Sequence, residues 1–242
     1  MFDLTIITIN KNNRSGLMRT QMSVKSIFSN KEYHEFRLEW IVVDGDSTDG
    51  SVDIIDCDLV SQIIMDSNGV YSAMNKGIDY ANGEQLFFLN SGDVVSENLP
   101  LISKYPKNKI LFFDSYYTNR FNKKKKAKLR RSCYGMPSSH QGIVFPNSDI
   151  KYNVFYVICA DYDYYLQHKC EKEYIPSVTS LCEKFGLSFS NPSLIVREMF
   201  AIRKDHCGLI LALSFLPIDF FKMVAKSILN QVISARWKSL AP

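Results

Sequence analysis

Three neighbouring stretches decide the fold of this chain: Gly69-Val70-Tyr71-Ser72-Ala73-Met74-Asn75-Lys76-Gly77, the apolar run Gln85-Leu86-Phe87-Phe88-Leu89, and the turn Asn90-Ser91-Gly92-Asp93. Apolar spacing in the first predicts a helix over residues 70–81, closed by Asn82-Gly83. The second reads as a short buried strand over residues 86–89. It runs into a lone carboxylate, Asp93. Open α/β sheets bind their ligands beyond the carboxyl ends of their strands. A carboxylate placed there can hold a divalent metal against a diphosphate.

The same alternation extends upstream. Residues 4–9 are a continuous apolar β-rich run, as in a strand buried on both faces of a parallel sheet. Residues 10–15 form a polar loop, and residues 16–28 carry helical spacing through Leu17, Met18, Val24, Ile27 and Phe28. A second strand over residues 40–43 ends in Asp44-Gly45-Asp46-Ser47-Thr48-Asp49-Gly50, rich in turn formers and helix caps. A short helix over residues 52–56 and a third strand over residues 59–65 follow. Alternating strands and helices predict an α/β fold with a mostly parallel central sheet flanked by helices.

Beyond residue 93 the pattern loosens. Strands are expected over residues 110–118 and 142–145, and helices over residues 160–170 and 193–206. Lys123, Lys124, Lys125, Lys126, Lys128, Arg130 and Arg131 form a basic run that reads as a loop or hairpin tip. Such a run meets phosphates or an anionic surface, or is simply solvated. Residues 209–232 are strongly apolar but interrupted by Pro217, Asp219, Lys222 and Lys226. That suits an amphipathic helix pair at a membrane surface, on a partner, or packed on the domain, rather than a bilayer span.

At 242 residues and 46% hydrophobic, the chain has the makings of one large α/β domain with a modest appendage, and disorder is excluded. A net charge of +4 gives no indication of nucleic acid. Six cysteines show no metal-ligand spacing, and they read as reduced, buried thiols of a cytoplasmic protein. No signal peptide is expected, because the chain enters a strand at once.

Several carboxylates can carry chemistry. Asp44, directly after a buried strand, either accepts the imide N–H of uracil or thymine or caps its own turn. Asp46 and Asp49 suit the loop and the helix start. Asp93 is the candidate metal ligand, with Asn90 and Ser91 as further oxygens; otherwise the segment is only a turn. Asp161 and Asp163 open a helix, point roughly 200° apart around it, and one of them can deprotonate a hydroxyl. His140 can touch phosphate, metal or acceptor, or be structural.

Together these segments resemble the inverting family 2 glycosyltransferases of GT-A fold, especially the short enzymes of bacterial O-antigen, capsule and exopolysaccharide assembly. The likeness runs over residues 5–170: Thr5-Ile6-Ile7-Thr8-Ile9-Asn10, residues 39–50, residues 69–77, residues 90–93, His140-Gln141 and Ala160-Asp161-Tyr162-Asp163. The resemblance implies nucleotide-sugar contacts from Thr8, Asn10, Asp44, Asn75, Lys76, Asn90 and Ser91. It implies Mn²⁺ or Mg²⁺ at Asp93, a catalytic base at Asp161, and acceptor or phosphate contacts from His140, Gln141 and Asp163. The chain departs from the family pattern in having one carboxylate within residues 90–93. It has Ser67 where relatives carry aspartate, with Asp66 beside it, and only Gly186-Leu187-Ser188-Phe189-Ser190 for a later glycine-serine element.

The expected protein is a GT-A domain over residues 1–206 with an apolar and basic helical tail over residues 207–242. It would move a hexose or N-acetylhexosamine from a UDP-sugar to a lipid-pyrophosphate-linked saccharide in surface polysaccharide assembly. Its place would be the inner face of the cytoplasmic membrane, against anionic lipid. The alternative is a non-catalytic nucleotide-sugar-binding or scaffold member of such an assembly.

Overall fold

A computed structural model describes residues 2–30, 35–118, 123–128, 131–183 and 191–238. Four parallel strands form its first half: β1 (Phe2–Asn10), β2 (Leu38–Asp44), β3 (Gln62–Met65) and β4 (Gly83–Phe88). They lie in the order β3-β2-β1-β4, with Asn10 opposite Asp44 and Asp44 opposite Met65. Carboxyl ends therefore align on one edge, as parallel pairing requires. The crossovers include α1 (Arg14–Ser29) and α2 (Val70–Tyr80). Both faces of the sheet are covered, so neighbouring residues go to opposite cores. Ile6 and Phe87 pack with Leu17, Val24 and Ile27 of α1, while Ile7 and Phe88 pack with Met74 and Ile78 of α2.

The helix stop expected at Asn82-Gly83 is corrected. Helix α2 ends at Tyr80, and Gly83 opens β4 opposite Phe2. A Cβ on Gly83 would stand 2.4 Å from the Thr5 backbone nitrogen, so close strand approach, not a left-handed cap, requires glycine there. Glu39, 1% exposed, is the polar node beneath it. It accepts from Thr5 Oγ1 at 2.5 Å and from Asn82 N and Nδ2 at 2.8 Å each.

The second half is wound differently. It comprises β5 (Val94–Val95), β6 (Ile110–Thr118), β7 (Lys123–Lys125), β8 (Ile143–Pro146) and β9 (Lys172–Glu183). Here β8 joins β4 to β6 by antiparallel pairing, β9 runs parallel to β6, and β5 closes the far edge antiparallel to β9. Part of the basic run forms β7, antiparallel to β6, which makes a hairpin. Strand β9 has no counterpart among the sequence expectations.

Three helices finish the chain: α3 (Ala160–Gln167), α4 (Pro192–Cys207) and α5 (Leu209–Lys238). The expected helix pair over residues 209–232 is instead one helix that contains Pro217. Among the described residues, no helix is long and apolar enough to cross a membrane. The expectation of six reduced, buried thiols is also corrected, because Cys133 and Cys207 form a disulfide and Cys57 is exposed.

Candidate active site

A cavity of about 560 Å³ opens where the carboxyl ends of β1, β2, β3 and β4 meet the amino end of α2. Ile9, Asn10, Lys11 and Asn13 wall one side, Gly45 and Asp66 the next, and Gly69, Val70 and Ala73 another. Asn90 and Ser91 close it. Of the expected nucleotide-sugar contacts, Asn10, Asn90 and Ser91 are brought together in this wall. Hydrogen bonds hold the loops in place: Asn13 caps α1 by accepting from Gly16 N at 3.1 Å and donates to the Ser91 carbonyl at 3.0 Å. Thr20 of α1 accepts from Gly92 N at 3.0 Å and donates to the Asp93 carbonyl at 2.7 Å.

Asp44 is fully buried behind this wall. Its carboxylate accepts from Asn10 Nδ2 at 2.8 Å, Ser47 N at 2.7 Å and Ser47 Oγ at 2.8 Å. That geometry is the turn-capping role, and it also orients Asn10. Asp49 serves the loop and helix start as expected. It accepts from Arg14 N and Ser51 N, and the Ser51 hydroxyl bond is the main cause of its lowered pKa.

Thr8, Asn75 and Lys76 stand away from the cavity wall. Thr8 accepts from the Trp40 indole at 3.0 Å inside the core. Asn75 pins the chain near residue 152, donating to the Tyr152 carbonyl at 2.9 Å and accepting its N–H at 2.7 Å. Lys76 is exposed on the outer face of α2. Conversely, sequence reading left Asp66 undecided and gave no role to Gly69. Asp66 sits in the wall, accepting from Asn68 N at 2.8 Å and Ser72 Oγ at 3.1 Å, which fastens the start of α2. Its signal was a carboxylate directly after β3.

Asp93 is buried one turn beyond Asn90, and its Oδ2 accepts from Gln141 Nε2 at 2.9 Å. Two expected site residues thus meet across 48 positions. A hard divalent cation takes oxygen ligands, and one carboxylate with a diphosphate and water completes its shell. Asp93 fits that single-carboxylate mode. Among the described residues no three acidic, histidine or cysteine side chains gather into a metal cage.

Asp161 and Asp163 occupy the first turn of α3 and have different surroundings. Asp163 is buried, and its oxygens accept from Gln167 Nε2 and His206 Nε2 at 2.8 Å each. Asp161 is half-buried, with Oδ1 accepting from Tyr162 N at 2.9 Å. Burial, then the charge of Asp161, pushes the Tyr71 phenol up; Tyr71 follows the cavity residue Val70 and donates to the Ile158 carbonyl at 2.7 Å. The Asp161 charge therefore lies near Tyr71 of α2.

Glu198 of α4 fixes the approach to α3. Its carboxylate accepts three backbone N–H groups, from Val157 at 2.8 Å, Ile158 at 3.0 Å and Cys159 at 2.8 Å. No signal near residue 198 pointed to this. His140 is set in an aromatic cluster, stacked on Phe88 at 5.0 Å and bonded to the Tyr152 hydroxyl at 2.6 Å. Burial lowers its pKa to about 4, so it is neutral at ordinary pH. Arg130 and residues 186–190 lie outside the described residues.

Residues 5–166 match the model of Glycosyl transferase family 2. The PGL/p-HBAD biosynthesis glycosyltransferase of Mycobacterium bovis BCG is 27% identical over 181 residues, covering 68% of this chain and 63% of that protein. An uncharacterized glycosyltransferase of Mycobacterium tuberculosis is 37% identical over 93 residues, 37% of this chain and 34% of the relative. The chain thus spans less than two thirds of either relative's length. Among solved structures, Staphylococcus aureus TarS 1-349 in complex with UDP-GlcNAc has a TM-score of 0.67 at 13% identity, over 91% of this chain and 73% of that one. The mannosyltransferase PcManGT of Pyrobaculum calidifontis, in complex with GDP-Man and Mn²⁺, has a TM-score of 0.57 at 14% identity, over 95% and 75%. These likenesses are of fold, and the fold is GT-A. With the family model matched over more than half of its 242 residues, the chain belongs to glycosyl transferase family 2.

Proposed function

We propose that this chain is an inverting glycosyltransferase that moves a hexose or N-acetylhexosamine from a UDP-sugar to a hydroxyl of a lipid-pyrophosphate-linked saccharide in surface polysaccharide assembly. The observation that carries the reading is the cavity at the strand ends, with Asp93 beyond its Asn90-Ser91 wall. A nucleoside diphosphate fits a loop-lined cavity at the carboxyl edge of a parallel sheet. TarS with UDP-GlcNAc and PcManGT with GDP-Man support a nucleotide-sugar donor.

In this reading Asp161 takes the proton of the acceptor hydroxyl. The freed oxygen bonds to the anomeric carbon from the face opposite UDP. The bond from that carbon to the diphosphate oxygen breaks, and its electron pair leaves with UDP. Gln141 and the buried turn hold Asp93 in place, and Mn²⁺ or Mg²⁺ bound at Asp93 would neutralise the departing diphosphate. His140 acts through the packing of the wall behind the site.

The reading divides the chain into a catalytic domain, residues 1–206, and a tail, residues 207–242, that keeps it near its lipid-linked acceptor. Placement at the inner face of the cytoplasmic membrane implies a reducing environment, where Cys133 and Cys207 are expected as thiols. Alkylation after acid quenching separates six free cysteines from four.

The deciding experiment is UDP release from a panel of UDP-hexoses with Mn²⁺, using a synthetic lipid-diphosphate N-acetylhexosamine as acceptor, for wild type and Asp93→Ala. Acceptor-dependent release from one donor, abolished by the substitution, is expected. UDP binding without transfer to any acceptor would instead mark a non-catalytic, donor-binding member.

A further inference from the structure

Helix α5 presents its apolar side outward. Exposed large apolar residues are Leu209, Ile210, Leu213, Leu216, Ile218, Phe220, Phe221 and Val224. At about 100° per residue all but Ile218 form one stripe, spanning an arc of about 140°, and Ile218 stands about 60° beyond its edge. Ile210 is 87% exposed and Phe221 73%. The inner side is anchored by polar groups: the Arg203 guanidinium, 1% exposed, pairs with Asp219 and packs over the Phe215 ring at 4.6 Å. An ordinary surface helix has the opposite arrangement, with its apolar stripe on the domain. Apolar patches of this kind are found where something covers them.

The basic run is brought against this helix by contacts between residues about 70 to 80 positions apart. Cys133 is bonded to Cys207, the residue that ends α4 just before α5. The Tyr134 ring meets Phe215 edge-on at 4.9 Å. Arg203 Nε donates to the Cys133 carbonyl at 2.9 Å. Exposed Lys126, Lys128 and Arg131 lead directly into this segment. An apolar stripe beside a cationic segment complements an anionic lipid surface, whose acyl boundary takes the one and whose headgroups take the other. A protein partner would have to match both features separately.

We propose that the outer stripe of α5 and the basic segment ending at Arg131 are one composite docking face for an anionic membrane, fastened by the Arg203 bond to the Cys133 carbonyl and by the Tyr134–Phe215 contact. The proposal deepens the functional reading above by assigning the surface that meets the lipid of the acceptor. It also orients the site: His206, next to Cys207, bonds Asp163 in the same turn as Asp161, so the docking face adjoins the acceptor side. The cavity at the strand ends is left open to a soluble donor.

The test is co-sedimentation of the full chain with vesicles of phosphatidylglycerol and phosphatidylcholine, and with phosphatidylcholine alone. Wild type should prefer the anionic vesicles and lose binding as salt rises. Ile210→Ser with Phe221→Ser, and Lys126→Glu with Lys128→Glu, should each weaken binding by about tenfold or more. UDP release to a lipid-free soluble acceptor should stay unchanged. Vesicle binding at the wild-type level in both pairs would overturn the proposal. So would a stripe variant that dissolves a dimer while binding vesicles normally, because the stripe would then belong to a second copy. Both pairs lie on the surface, and a melting temperature equal to wild type shows that they fold. Failure of sugar transfer with vesicle binding intact would sink the functional reading and leave the docking face standing.

Discussion

The strands β3-β2-β1-β4 and the elements after Asp93 build two parts of the site by different means. On the side we assign to the donor, each wall residue stands at the end of its own strand or at the start of the next helix. Asn10 ends β1, Gly45 follows β2, Asp66 follows β3 and Asn90 follows β4. On the side we assign to the acceptor, placement comes from contacts distant in sequence: Glu198 holds residues 157–159 and His206 holds Asp163. Local pattern suffices for the first. The second depends on how α4 docks.

That contrast is broken or sharpened most directly at the two carboxylates of α3. Asp163 is buried with both oxygens engaged by Gln167 and His206, whereas Asp161 is half-buried with its charge near Tyr71. Asp161→Asn should lower kcat by about 10²-fold or more with UDP binding unchanged, the scale of a positioned general base. Asp163→Asn should cost mainly stability. Equal turnover for Asp161→Asn and wild type would move the base elsewhere and void the contrast.

A matched pair of variants tests the two sides at smaller cost. Gly83→Ala forces a Cβ to within 2.4 Å of the Thr5 backbone, and overpacking of that kind costs about 2 kcal/mol. Glu198→Gln weakens a carboxylate that receives three N–H bonds, a loss of about 1–2 kcal/mol. Denaturation midpoints should therefore fall by similar amounts. Only Glu198→Gln should also lower kcat, because only it loosens the entry to α3. A kcat loss in both would mean that the sides are mechanically one.

The same division explains what could be read from sequence. The first four strands, α1, α2 and the wall residues Asn10, Asn90 and Ser91 follow from apolar runs ended by turn formers. Asn75, on the same helix as the cavity residues Val70 and Ala73, was misleading: helical position alone gave no sign that its amide pins Tyr152. Strand β9 was missed because Pro176 interrupts Lys172–Glu183. In the structure Ile175 pairs with Phe113 and Val178 with Asp114, so Pro176 falls in a register shift where no ladder donor is needed. The Cys133–Cys207 bond joins residues 74 apart, a distance at which spacing carries no signal.

The smallest effect probes the packing of the acceptor half. His140 lies among Phe88, Phe145 and Tyr152, and burial holds its pKa at about 4 against an ordinary value of 6.5. The unfolded chain takes up this proton near pH 6.5, whereas the folded protein resists until about pH 4. The neutral ring's contribution to stability is therefore complete above pH 6.5 and is lost as pH falls towards 4, by at most about 1.4 kcal/mol per pH unit. Burial also lowers the pKa of His168 beside the adjoining edge-to-face Phe145–Tyr164 pair, so two protons act in the same direction. His140→Gln keeps a partner for the Tyr152 hydroxyl and removes one of those protons. The decline in urea midpoint between pH 6.5 and 4 should become shallower, while stability at pH 7.5 changes little. An unchanged acid limb would mean that water reaches the ring in the native state. The acceptor half would then be loosely packed around His140, and long-range docking of α4, rather than a tight aromatic wall, would be what positions Asp161.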